Sequence, residues 1–223
     1  MANLTFCLMS PKGGVGKSTT ALLLASEILR HGKTVTLIEV DGNQHLKAWH
    51  DRGNCPDALN LISLGNADAA RLERAVYLAV EASDYIIIDT QGTNNAAALR
   101  AAALSDVVLL PSAFSPFEVQ GAMTALNAVH ALPDDLSPTL TAVIFTRVNA
   151  AIKTRAQSEI LASFDELAIP YIWPGVLDKE ACRQMLKYGC VLHDLPLHTN
   201  VSGIQNATDN IQAILRAILA RLT

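Results

Sequence analysis

The feature that most constrains this chain is an alternation: short runs apolar on both faces are separated by longer stretches of helical period. The short runs are "LTFCLMS" from Leu4, "TVTLIEV" from Thr34, "LNLISL" from Leu59, "YIIIDT" from Tyr85, "VVLLPS" from Val107, "LTAVIFTRV" from Leu140 and "PYIWPGVL" from Pro170. Between and after them, helices are predicted over 17–31, 44–52, 67–83, 94–104, a stretch ending at Leu132, 152–168, 178–188 and 203–222. Strands apolar on both sides need cover on both sides, and helical crossovers supply it, so the pattern predicts an α/β fold with a doubly wound, mainly parallel sheet. Half of the 223 residues are hydrophobic and only 17% are charged, which suits such a buried sheet. No repeat, low-complexity run or linker interrupts the pattern, so residues 1–223 are read as one domain.

The formal net charge of -4 argues against a globally basic nucleic-acid binder, although a local basic patch can still meet phosphates. The opening "MANLTFCLMSPKGG" lacks the basic start and long apolar run of a secretory signal. No uncharged apolar run reaches about 18 residues, the length of a spanning helix. A soluble, cytoplasmic protein is therefore expected. Cys7, Cys55, Cys182 and Cys190 show no C-x-x-C spacing, and reduced thiols are expected.

Ligands of open parallel sheets sit beyond the carboxyl ends of the strands. After the first strand the chain reads "SPKGGVGKSTT", Ser10 to Thr20. Gly13, Gly14 and Gly16, with Val15 between them, let the backbone turn tightly with its N–H groups pointing inward. The helix beginning at Lys17-Ser18-Thr19 adds its positive end. This is the pattern of a G-x-x-x-x-G-K-[ST] loop, in which Lys17 reaches the β- and γ-phosphates of a nucleoside triphosphate and Ser18 binds Mg²⁺. Pro11 replaces the usual first glycine. A second lysine, Lys12, stands within the loop, where it could neutralise charge on a transferring phosphate.

The segment "KGGVGKST" resembles the deviant Walker A loop of the ParA/MinD family of P-loop NTPases. That resemblance implies ATP as substrate and an ATP-sandwiched homodimer in which Lys12 reaches the partner subunit's phosphates. It extends to "LIEVDGNQ", where Asp41 matches the carboxylate that positions the attacking water and helps around the metal. Glu39 stands where an earlier Asp is common, and Gly42-Asn43 replaces the usual Pro. It extends also to "YIIIDTQG", a Walker B-like strand in which Asp89 would hold a Mg²⁺ water and Gly92, after Thr90, would sense the γ-phosphate. By family position Thr146, Arg147, Pro174 and Val176 are candidates for contact with adenine, and each is equally readable as packing or surface.

The stretches "DGNQHLKAWHD" and "DKEACRQMLKYGCVLHDL" are similar to small ParA proteins and VirC-type relatives. The likeness implies Mg-dependent ATP hydrolysis, ATP-dependent dimers that bind DNA without sequence preference, and a DNA-binding adaptor protein that triggers hydrolysis. It implies a role in partitioning or positioning plasmid or chromosomal DNA, with the protein on the bacterial nucleoid. Independently, Lys179, Arg183 and Lys187 fall at i, i+4 and i+8, a basic stripe that can follow a phosphate backbone or can simply be a solvated helix face. A membrane-cycling ATPase like MinD is the alternative, through the apolar side of the last helix, Ile211, Ile214, Leu215, Ile218, Leu219 and Leu222. Packing against the sheet is the better account of that side. An iron–sulfur reductase with the same loop would need cysteines between Asp89 and Cys182, and the sequence has none there.

Overall fold

In the computed structural model, which describes residues 3–92 and 96–222, the alternation becomes a parallel seven-stranded sheet. The strands are β1 (Leu4–Leu8), β2 (Val35–Val40), β3 (Leu59–Ser63), β4 (Tyr85–Thr90), β5 (Val107–Ser112), β6 (Leu140–Phe145) and β7 (Tyr171–Ile172), in the spatial order β3-β2-β4-β1-β5-β6-β7. The helices are α1 (Lys17–Arg30), α2 (His45–His50), α3 (Ala69–Ala82), α4 (Ala96–Ala103), α5 (Pro116–His130), α6 (Arg155–Glu166), α7 (Glu180–Tyr188) and α8 (Ile204–Leu219). Every residue of β2 and β5 is buried, as strands covered on both faces require.

Two cores flank the sheet. One joins α1, α2, α7 and α8 through residues such as Leu22, Trp49, Met185 and Ile214, and the other joins α3 to α6 through Leu72, Ala101, Leu126 and Phe164. Ile211, Ile214, Leu215 and Ile218 of α8 lie in the first core. Each such side chain contributes about 1.5–3 kcal/mol when buried, so withdrawing this face from the core would cost a large share of a domain's usual stability. Among the described residues no helix is long and apolar enough to cross a membrane. Cys7, Cys182 and Cys190 are buried, Cys55 is half-buried, and all four are free thiols.

Helix starts fall where side chains can cap them. Asp68 accepts from Arg71 N, Ser115 from Glu118 N and Thr154 from Gln157 N, so α3, α5 and α6 begin after these residues. That trims the predicted starts at Ala67 and Ile152; the start predicted at Asn94 lies outside the described residues. The run "PYIWPGVL" yields only two ladder residues, because Pro170 and Pro174 have no N–H to donate to β6. Short 3-10 turns at Asp134–Leu136 and Leu192–Leu197 carry no periodic signal, and the sequence reading does not contain them.

β1 lies in the middle of the sheet, between β4 and β5. The carboxyl ends of β1, β2 and β4 thus converge on the start of α1, and those of β5 and β6 flank its other side.

Candidate functional site

The loop from Ser10 to Gly16 links β1 to α1 and is built by glycine geometry. Gly14 and Gly16 have φ of 73° and 96°, conformations that L side chains rarely adopt. Gly16 caps α1 without any side-chain acceptor, so the first N–H groups of the helix carry no internal cap. With the positive end of the dipole, they offer an anion site. Thr146 at the end of β6 braces the loop from behind, its hydroxyl donating to Val15 O at 2.8 Å, and the Arg147 guanidinium donates to Gly14 O. Arg147 is held in turn 3.9 Å from Glu118 at the start of α5.

A cleft of about 370 Å³ opens over this loop, lined by Gly13, Gly14, Gly16, Lys17, Ser18 and Thr19 from one side and Asp41, Asn43, His45, Gln91 and Gly92 from the other. Lys17 is buried and its ammonium donates to Lys12 O at 3.2 Å; burial lowers its pKa, opposed by Asp89 and Asp41. Lys12 is exposed and is not among the cleft's lining residues. Its ammonium lies 5.7 Å from the ring centroid of Phe117, which is itself 76% exposed on the first turn of α5. The two lysines of one loop therefore face different spaces.

Asp89, at the end of β4, is 2% exposed. Its Oδ2 accepts from the Ser18 hydroxyl at 2.5 Å, while Oδ1 is buried with no partner. Burial pushes this carboxyl up to about 7; the Ser18 bond and Lys17 pull it down, and Glu39 and Asp41 add to the rise. A carboxylate with one unanswered oxygen beside a serine hydroxyl fits a hydrated Mg²⁺, whose charge would restore the ionised form. Among the described residues no group of three or more His, Cys, Asp or Glu side chains could enclose a metal, so such an ion would draw its other oxygens from water and phosphate.

Asp41 does not cap α2. Its carboxylate accepts from Asn43 N at 2.9 Å, and the capping falls to Glu39. Glu39, 1% exposed, accepts from Leu46 N at 2.6 Å, Lys47 N at 3.2 Å and the Ser63 hydroxyl at 2.6 Å. The substitution noted in the sequence thus has a structural use: its carboxylate reaches back to two helix N–H groups. Gly92 packs against the loop so closely that an added Cβ would lie 2.6 Å from Gly13 N and 2.7 Å from Lys12 C. Asn43, His45 and Gln91 were missed by sequence reasoning; their signal was only their position just beyond strand ends already singled out.

A second cleft, of about 190 Å³, continues from Gly14 and Gly16 past Thr146, Arg147 and Val176 to Asp178, Lys179, Cys182 and Arg183. It gathers three of the four predicted base contacts. Pro174 is not among them: with Trp173 and Gly175 it lines a different groove, beside Val148 and Gln157, and this stretch of chain reaches the second cleft only from Val176. The basic stripe is also divided. Lys179 is the N-cap residue of α7, and Arg183 is tied to Asp178 and, at 2.8 Å, to Glu180. Glu180 and Arg183 are three apart on the helix, a spacing that brings the two side chains together. Lys187 alone of the stripe points away from the cleft, its ammonium 5.3 Å from the Tyr188 ring.

The family model for VirC1 protein matches residues 1–218. The chain belongs to the VirC1 family. This VirC1-family chain is similar to Protein ParA of Rhizobium radiobacter, 26% identical over 215 residues that cover 96% of this chain and 95% of that one. It is similar also to Protein virC1 of the same organism, 31% identical over 179 residues and 76% of each chain. Among solved structures it resembles an aspartate-to-alanine variant of Cyanothece McdA in complex with ATP, with a TM-score of 0.75 at 20% identity over 97% of this chain and 96% of that one. The fold is that of the ParA/MinD P-loop ATPases.

Proposed function

We propose that this VirC1-family chain is a Mg-dependent ATPase that dimerises around ATP, binds DNA without sequence preference and positions or partitions a plasmid or chromosome together with a DNA-binding adaptor protein. The reading rests on one observation above the others: Lys17 lies in the phosphate cleft while Lys12, in the same loop, lies outside it. A lysine that serves only its own chain's nucleotide has no reason to face outward; one that completes a partner's site does. The relatedness to Protein ParA supports the DNA-positioning part. Burial of the α8 apolar side in the core leaves the membrane-cycling alternative without a free face at that helix.

In this reading the loop N–H groups and Lys17 hold the phosphates, and Thr146 and Arg147 keep the loop in shape. Ser18 and Asp89 would hold Mg²⁺, which when bound supplies charge neutralisation between the phosphates. Asp41, half-buried at the cleft edge and turned by its bond from Asn43 N, orients the attacking water. Lys12 stabilises charge across the dimer.

The test separates the lysines. Lys17→Ala is expected to abolish ATP binding measured by calorimetry. Lys12→Ala is expected to keep ATP affinity yet lose turnover and the ATP-induced rise in light scattering. Equal dimerisation in wild type and Lys12→Ala would refute the cross-subunit role.

A further inference from the structure

We propose that the carboxyl end of α7 and the segment following α2 form one surface for the phosphate backbone of duplex DNA, built on Arg52, Lys187, Tyr188 and His198. This deepens the DNA-binding part of the function proposed above and rests on it, but places the contact elsewhere than along the stripe from Lys179.

The cations of this region differ in how free they are. Arg183 is neutralised by Asp178 and Glu180, and both it and Lys179 border the second cleft. Arg52 and Lys187 are exposed, and neither forms an ion pair among the described residues. Of the nearby acids, Asp51 is paired with Lys47 at 2.6 Å and Glu180 with Arg183 at 2.8 Å.

The four residues are also joined to one another. Arg52 donates to Lys187 O, which brings the guanidinium to the base of the lysine. The Lys187 ammonium lies over the Tyr188 ring, and Tyr188 stacks on His198 with centroids 6.0 Å apart. Cations interleaved with aromatic rings offer charge to phosphates and flat apolar surface to sugars.

A helix carboxyl end carries about half a negative charge and would ordinarily repel phosphates. Here its carbonyls are covered: Trp49 Nε1 donates to Met185 O at 3.2 Å, Arg52 to Lys187 O, Asn54 Nδ2 to Tyr188 O at 2.8 Å and the Cys55 thiol to Gly189 O at 3.4 Å. What this end presents outward is then the Arg52 and Lys187 cations rather than bare carbonyls. The donors come from the segment that begins at Asp41, so the surface is attached to the part of the chain that borders the phosphates.

The experiment is a salt titration of binding to a short fluorescent duplex, with wild type, Arg52→Ala, Lys187→Ala and Arg183→Ala each saturated with a non-hydrolysable ATP analogue. Anionic phosphatidylglycerol vesicles form a parallel arm. The Lys187 side chain holds no other element in place, so its variant folds even if removal of the Arg52 guanidinium loosens α7. Arg52→Ala and Lys187→Ala are each expected to reduce the slope of log K against log salt by about 0.9 per phosphate no longer neutralised, while Arg183→Ala keeps the wild-type slope. A reduced slope confined to Arg183→Ala would overturn the proposed surface and leave DNA binding standing. Binding to vesicles but not to duplex would overturn the choice of DNA, and binding to neither would overturn this surface and the DNA-binding function together.

Discussion

Replacing Gly92 by alanine tests the site through one methyl group. The glycine's φ lies outside the left-handed region, so alanine can adopt the backbone and the effect is steric alone. The new Cβ would stand 2.6 Å from Gly13 N, 2.7 Å from Lys12 C and 2.9 Å from Gly13 Cα, against an ordinary contact of 3.4 Å or more. All three neighbours are backbone, so no side chain can swing aside, and the loop or the end of β4 must move by about 0.8 Å at the tightest point. Overpacking of this kind costs about 1–3 kcal/mol. If the loop relieves the clash by moving and must return to hold phosphates, that cost falls on ATP binding, raising Kd about 5- to 150-fold. Calorimetric titration of ATP into wild type and Gly92→Ala, with thermal unfolding of both, measures it. An alanine variant within twofold of wild-type affinity and with unchanged Tm would refute the claim that this close approach shapes the cleft.

Two further outcomes follow from buried carboxylates. In Asp89→Asn the gain in ATP affinity that wild type shows on adding Mg²⁺ over EDTA is expected to disappear; a retained gain would remove Asp89 from the metal site. In Glu39→Gln the side chain keeps one acceptor oxygen and turns an N–H₂ toward groups that are themselves donors, at a cost of about 1–3 kcal/mol. Tm should fall by about 2–4 °C per kcal/mol in differential scanning calorimetry, and an unaltered Tm would show that α2 is capped by other means.

The sheet was legible because its inner strands are buried on both faces, as "YIIIDT" and "VVLLPS" are. The meeting of the glycine loop with Asp89 was legible because glycine, lysine, serine and aspartate stand at fixed distances from strand ends. What escaped the sequence was decided in three dimensions. Glu39 looked like a departure from a family pattern, yet it is the cap that α2 otherwise lacks. Pro174 sits close in sequence to Val176 but lines a different groove. The stripe on α7 was regular in spacing, but regularity says nothing of Asp178, which folds back from the preceding loop onto Arg183. Asn43, His45 and Gln91 are ordinary loop residues until the sheet order brings β2 and β4 side by side.

The four donors that cover the end of α7 have a mechanical consequence. They join α2 and the segment after it to the end of α7 as one connected piece, with Gly189 packed so tightly that an added Cβ would lie 2.5 Å from Trp49 O. One end of that piece, Asp41 to His45, borders the phosphate cleft; the other, Cys182 and Arg183, borders the second cleft on the far side of the loop. If one nucleotide fills both clefts, the piece touches it at head and tail. The walls of the two clefts are thereby joined through direct hydrogen bonds from Trp49 and Asn54 to the end of α7, so a substitution at either residue bears on both walls at once.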